Sequence, residues 1–198
     1  MRDLTFETLA GPALHPLLPE LARLRIAVFR DWPYLYDGDE ASERGYLRAY
    51  ADAPGAAVVV CRDGGQVVGA ATCGPMDQGH EPVRLVFEAA GLDPAVHLYL
   101  GESVLLAPYR GRGAGVRFFA AREAHARALG LRHCAFCAVM RDAGDPRRPA
   151  GYVPLDAFWR RRGYRPRPEL VVTFEWKEIG EVSDTPHALS FWLKDLGE

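Results

Sequence analysis

Apolar positions along this chain follow two spacings, and the places where one gives way to the other mark out the elements. Leu4 to Leu9 reads as a short strand ended by Gly11 and Pro12. Leu17, Leu21, Leu24 and Val28 recur at i, i+4, i+7 and i+11, which predicts an amphipathic helix. It closes near Asp31-Trp32-Pro33, because proline disfavours helical geometry in the residue before it. Trp32 to Gly38 then forms an aromatic loop, followed by a shorter helix from about Ser42 to Tyr50. Ala57 to Cys61 and Gln66 to Cys73 are apolar strand-like runs around Arg62-Asp63-Gly64-Gly65, the pattern of a hairpin. A polar loop with Pro75 and Gly79 leads to a helix over Pro82 to Ala90, stopped by Gly91. Leu98 to Leu106 is read as one strand, Val116 to Leu129 as a helix stopped by Gly130, and His133 to Met140 as a buried strand. Asp142 to Pro154 is rich in proline, glycine and arginine and is expected to be a loop. An aromatic helix, Leu155 to Tyr164, precedes two late strands, Leu170 to Trp176 and Ala188 to Leu193, with a turn at Ser183-Asp184-Thr185-Pro186. No repeat or second domain is visible, so residues 1–198 are read as one α/β domain on a mixed, largely antiparallel sheet flanked by helices.

The most informative stretch is Gly101 to Gly115, where an apolar strand runs into an arginine- and glycine-rich turn that opens a helix. The first turn of a helix carries backbone N–H groups with no internal partner, at the positive end of the helix dipole. Such a turn is a ready site for phosphate. Glycines let the backbone close on the anion, and Arg110 and Arg112 add charged donors. A Walker A loop is excluded, because the turn has no lysine. A dinucleotide fingerprint starting at Gly111 would need its third glycine where Val116 stands, and an acidic residue about 20 positions on, where the chain reads Leu131-Arg132-His133-Cys134.

The pattern that fits is Arg-x-x-Gly-x-Gly, met by Arg110, Gly113 and Gly115, with a strand before it and a helix after it. Together with the late Phe158-Trp159 helix ending in Gly163-Tyr164, this resembles the GNAT N-acetyltransferases over roughly residues 56 to 176. The resemblance implies splayed central strands, Leu98–Leu106 and His133–Met140, with the pantetheine arm of acetyl-CoA in the gap between them. It implies a coenzyme site made of Ser103, Val104, Leu105, Arg110, Gly111, Arg112, Gly113, Ala114, Gly115 and Val116. The strand edge would bind pantetheine amides as an added strand would. It also implies an acceptor wall drawn from the first two helices and their loop. Here that wall is Arg30, Trp32, Tyr34 and Tyr36, with Arg25, Asp31 and Asp37 nearby; a purely structural aromatic loop is the other reading of the same residues.

Composition narrows the picture further. The chain is 48% hydrophobic with a formal net charge of −2, which supports a sizeable core and argues against nucleic acid or membrane as a partner. No apolar run approaches the ~18 residues that span a bilayer and no signal-like core follows Met1-Arg2-Asp3, so a cytoplasmic protein is expected. The four cysteines lie in strand-like contexts and are read as reduced core thiols. Cys134 and Cys137 are three apart on a strand and point to opposite faces, so no metal is expected there.

Acetyl transfer to an amine needs a proton acceptor and, for the leaving thiolate, a proton donor. Glu102 is the first candidate base; strand alternation puts it on a face with Leu98, Leu100, Val104 and Leu106, an apolar setting that favours the protonated carboxyl. Pairing with an arginine, or exposure to solvent, is the competing reading, and the resembled family also uses the position of Tyr99. Many relatives carry a tyrosine acid on the late helix, but the matching residue here is Trp159, which cannot act as an acid near neutral pH. Tyr152 on the preceding loop is the better candidate than Tyr164; water is the other option. The reading is an acyltransferase that acetylates a primary amine of a small molecule or peptide from acetyl-CoA, in a ternary complex and with no metal. The alternative is a non-catalytic acyl-CoA-binding or sensing domain. A homodimer is allowed, and the acceptor, acyl-chain preference and pathway are unspecified.

Overall fold

The computed structural model describes residues 3–79 and 81–197. Its strands are β1 (Thr5–Leu9), β2 (Ala57–Asp63), β3 (Gln66–Pro75), β4 (His97–Tyr99), β5 (Ser103–Leu105), β6 (His133–Val139), β7 (Arg165–Trp176) and β8 (Thr185–Asp195). The helices are α1 (Leu18–Phe29), α2 (Glu40–Asp52), α3 (Glu81–Ala89), α4 (Ala114–Ala128) and α5 (Asp156–Arg161). One sheet runs β1-β2-β3-β4-β6-β8-β7, with β5 paired to β3, and the β4–β6 pair is its parallel contact. Every other strand pair among the described residues is antiparallel.

Alternation along β2 sorts the core into two layers. Val58 and Val60 pack with Leu18, Leu21 and Leu47 under α1 and α2. Val59 and Cys61 pack with Ala114 and Phe118 of α4 on the opposite face. Helix starts follow local chemistry: Asp39 caps α2 by accepting from Ala41 N (2.9 Å) and Ser42 N (3.0 Å). A 3-10 turn, Gly11–Leu17, precedes α1. The late hairpin is longer than its sequence pattern suggested, and Thr185 and Pro186, expected in the turn, already belong to β8.

The chief departure is at the predicted strand Leu98–Leu106, which is two strands joined by a bulge. Gly74 pairs with Tyr99 and Ala71 with Ser103, so between these pairs the three residues 100–102 oppose the two residues 72 and 73. Leu98 and Leu100 pack on the α4 face. Beyond the extra residue the faces exchange, and Val104 packs under α1. β4 continues its ladder with β6 as far as Leu100 N to Ala135 O, 2.8 Å. β5 then stays with β3 and leaves β6, which continues along β8. The central strands therefore splay, and a gap opens between β5 and the upper half of β6.

Two groups hold the bulge. Gly101 has to be glycine, because a Cβ there would meet the Tyr50 hydroxyl at 2.3 Å and Thr72 Oγ1 at 2.5 Å. Arg122 of α4 is 1% exposed and lies beneath the bulge. Its guanidinium donates to Thr72 O (3.2 Å), Glu102 O (3.1 Å) and Ser103 Oγ (2.8 Å).

Candidate active site

The gap has two sides, the β5 edge with the turn that follows it and the face toward α1 and α2. On the first, Glu102 O accepts from Thr72 N and Leu106 N donates to Val68 O. Even-numbered residues thus spend their backbone groups on β3, and alternation turns those of Ser103 and Leu105 toward the gap. Val104, named as a pantetheine contact on sequence, directs its backbone to the sheet and its side chain into the core.

At the end of the gap, Gly113 is the N-cap of α4 with φ 81°, and Gly111 has φ 77°. A Cβ on Gly113 would meet nothing within 4 Å, so the positive φ is what calls for glycine. No side chain caps α4 and no acidic residue stands in its first turn. Val116 N bonds back to Gly113 O, which leaves the N–H groups of Ala114 and Gly115 for an outside acceptor. Ala114 is buried in the core beneath this turn, Gly115 abuts Phe158 of α5, and Val116 is exposed. The Arg112 guanidinium lies over Tyr109. Arg110 donates to Leu105 O (3.2 Å) and pairs with Asp31 (3.3 Å), tying the turn to the aromatic loop. These features fit a pyrophosphate: open main-chain donors, two arginines and no competing carboxylate in the turn itself.

On the second side the bulge aims Glu102 away from Leu98 and Leu100, at α1 and α2. The apolar setting expected from alternation is therefore absent, because one inserted residue reverses the face. The carboxylate forms an ion pair with Arg25 of α1 and accepts from Tyr46 Oη of α2 at 2.9 Å. Arg25 also pairs with Glu43, and its guanidinium stacks on the Tyr46 ring at 4.1 Å. Burial opposes the Arg25 charge, but Glu102, Tyr46 and Glu43 outweigh it and hold the guanidinium well above its ordinary range. Burial, then the nearby Glu102 charge, pushes the phenols of Tyr46 and Tyr50 up, so both stay protonated donors.

Tyr34 is the centre of the far wall. Burial pushes its phenol up, and it lies within electrostatic reach of Cys137, Glu102, Arg25 and Tyr152 at once. Its ring packs on Phe29 (4.5 Å) and Trp176 (5.7 Å). Trp32 meets Tyr152 edge-on at 6.1 Å, which brings the predicted acid onto the same wall. Burial, then Asp156, raises the Tyr152 phenol. The Trp32 Nε1 donor is buried and finds no acceptor among the described residues. Arg30 and Tyr36 have other partners: Arg30 pairs with Asp37 at the surface, and Tyr36 turns inward to Glu43.

The structure adds Glu43, Tyr46, Arg122, Arg141 and Glu178 to the residues singled out on sequence. Glu43 and Arg122 were within reach of pattern reading. Glu43 precedes Leu47 and Tyr50 by four and seven residues, and Arg122 follows Phe118 by four, so each is a charge on an apolar stripe. Arg141 and Glu178 lie in irregular segments with no such signal. The cysteines are all buried and free, with Cys134 in the α4-side core and Cys137 on the other face, bonded to Tyr99 Oη at 3.2 Å. Burial pushes their thiols up, to about 12 and about 11. Trp159 packs against Phe136 and Trp192, each at 5.1 Å, as part of an aromatic stack. No helix among the described residues is long and apolar enough to cross a membrane.

A family model described as the acetyltransferase (GNAT) family matches residues 21–164. No curated protein matches the chain in sequence. Solved structures share the fold at low identity. A ribosomal-protein-alanine N-acetyltransferase from Brucella melitensis is 18% identical with a TM-score of 0.62, over 96% of this chain and 99% of that one. YncA from Salmonella typhimurium, described with its cofactor acetyl-CoA, is 13% identical with a TM-score of 0.59, over 98% and 95%. PaiA N-acetyltransferase from Thermoplasma acidophilum, in complex with coenzyme A, is 10% identical with a TM-score of 0.54, over 98% and 99%.

Proposed function

Because the chain belongs to the acetyltransferase (GNAT) family, we propose that it transfers an acetyl group from acetyl-CoA to a primary amine of a small molecule or peptide, by direct attack in a ternary complex. Acetyl-CoA supplies the activated thioester. The observation that carries the reading is the gap between β5 and β6, which ends at the uncapped Gly113 turn and has Glu102 at the bulge where it opens. Main-chain groups of Ser103 and Leu105 bind the pantetheine amides, and residues 111–116 with Arg110 and Arg112 bind the pyrophosphate.

Glu102 accepts the amine proton. Its two oxygens are held by Arg25 and Tyr46, so the carboxylate is fixed in direction before substrate arrives. Tyr152, raised and thus a proton carrier at neutral pH, donates toward the leaving thiolate. Trp32 and Tyr34 form the wall against which the acceptor lies, and the buried Trp32 Nε1 offers it a donor. A cytoplasmic, reduced setting agrees with four free buried thiols.

One observation favours a second reading, a non-catalytic acyl-CoA-binding domain: Trp159 is committed to an aromatic stack at the helix position where the resembled family places its acid. Purified protein incubated with acetyl-CoA and a panel of primary amines, with release of free thiol as readout, separates the two. Turnover supports the enzyme; tight acetyl-CoA binding without thiol release on any amine supports the binding domain.

A further inference from the structure

Glu178 lies two residues past the end of β7 and is 5% exposed; its side-chain partners among the described residues are Arg141, Arg147 and His187, outside both the coenzyme turn and the Glu102 cluster. Its carboxylate joins two points of the β6–α5 connection, six residues apart, to β8. Arg141, just after β6, pairs with it, and so does Arg147, in the loop that carries Tyr152. His187 of β8 faces it at 3.5 Å. Burial works against its ionisation, but bonds from Arg147 and Arg141 outweigh that cost and hold the carboxyl below its ordinary range.

Each arginine that Glu178 holds also holds part of the acceptor wall. Arg141 donates to Pro33 O (2.6 Å) and Tyr34 O (3.0 Å), and its guanidinium lies over the Trp32 ring at 5.6 Å. Arg147 folds its own loop by chelating Asp145, at 2.7 and 3.0 Å. That loop delivers Tyr152 to the edge of Trp32. The backbone beside Glu178 is stitched to the same wall, with Asp37 N donating to Lys177 O and Ile179 N to Leu35 O, both at 2.8 Å. A buried carboxylate bonded to two guanidiniums of the β6–α5 connection couples their positions, since breaking either contact gives up a charge-assisted bond to a group held largely out of water.

We propose that Glu178 is a positioning residue for the acceptor site, setting Trp32 and Tyr34 against Tyr152 through Arg141 and Arg147. The proposal rests on the amine-acceptor reading and extends it: acceptor affinity and selection depend on a carboxylate outside the reacting groups, and coenzyme binding does not.

The test uses the full chain carrying Glu178→Gln or Arg147→Ala, with two readouts. Hydrogen exchange reports on the walls whether or not an acceptor is known. Glu178→Gln is expected to speed exchange about tenfold or more in residues 33–37 and 143–152 while β2 and β3 keep their protection. With any amine that the wild type acetylates, KM for the amine is expected to rise about tenfold, with kcat changed much less and acetyl-CoA affinity unchanged by calorimetry. Arg147→Ala removes a half-exposed side chain, so it keeps the fold. It is expected to raise the same KM, and Arg147→Lys to restore it in part. Uniform loss of protection with an unchanged KM would make Glu178 a stabilising residue only and overturn the proposal. If Glu178→Gln does not fold, a wild-type KM in folded Arg147→Ala overturns it equally. Absence of turnover in the wild type counts against the amine-acceptor reading, and exchange then decides the coupling alone.

Discussion

At Gly113 the backbone takes a φ of 81° with open space where a Cβ would stand. An L-residue there costs about 1–2 kcal/mol of backbone strain. On the proposed reading, a bound pyrophosphate would occupy that open space. Gly113→Val is accordingly expected to keep its fold and nearly lose acetyl-CoA binding; calorimetry beside a circular-dichroism melt checks both halves, and unchanged affinity in the folded variant removes the assignment. Glu102 makes a different demand. Glu102→Gln keeps the acceptor oxygen for Tyr46 but cannot take a proton, and loss of a general base costs about 10²–10⁴ in rate. Acetyl-CoA affinity should stay near wild type, because the proposed coenzyme contacts are main-chain groups and arginines. Initial rates against pH measure this: the variant should lose the acidic limb of the profile. Full turnover with an unchanged profile places the base elsewhere.

At the scale of elements, the bulge between β4 and β5 decides the site. It turns Glu102 to the helix side and detaches β5 from β6 with a single inserted residue. Arg122 is what reaches it from the opposite layer. Its charge is buried, and burial pulls it below the ordinary arginine range, so the bonds to Thr72, Glu102 and Ser103 offset a real desolvation cost. Removing the guanidinium takes a charged donor from each of those acceptors, although Thr72 O and Glu102 O keep the backbone donors Gly101 N and Thr72 N. Arg122→Leu is expected to lower stability by about 3 kcal/mol, the range for lost bonds to a buried charged group. It should also weaken acetyl-CoA binding, since Ser103 and Leu105 lose the support that fixes their angle. Urea unfolding and calorimetry on the same sample test the two effects together; a stable variant with normal affinity means the bulge holds itself.

For the whole molecule, a contribution to acid stability comes from β4, in the middle of the sheet. His97 is buried, donates from Nδ1 to Asp93 O at 2.7 Å, and stacks on His133 at 4.8 Å. Burial lowers its pKa below the ordinary 6.5, and the neighbouring His133 adds to this against the opposing Asp93 contacts. The unfolded chain therefore takes up this proton near pH 6.5 and the folded chain only at lower pH. Between those values the unfolded state binds more protons, so stability falls as pH falls below about 6.5, by at most about 1.4 kcal/mol per unit from this residue. Urea midpoints from pH 8 to 5 report the slope. His97→Phe, which keeps the ring against Phe87 (5.0 Å), should flatten it; an unaltered slope assigns the acid sensitivity to other groups.

Strand and helix order and the glycine turn that opens α4 were legible in the sequence because each depends on local periodicity or on glycine and proline geometry. Ala57 to Cys61 and Gln66 to Cys73 pair as a hairpin as read, and Gly113 and Gly115 open a helix as read. The surroundings of Glu102 were not legible. A bulge leaves the apolar pattern of 98–106 intact while exchanging its faces, and only pairing with β3 reveals the extra residue. The Arg25 pairs with Glu43 and Glu102, like the Glu178 pairs with Arg141 and Arg147, join residues many positions apart. No spacing rule encodes such contacts. They exist because the tertiary fold brings opposite charges together; for Arg25, Glu43 and Glu102 water is largely excluded, and leaving one of those charges unpaired would cost several kcal/mol.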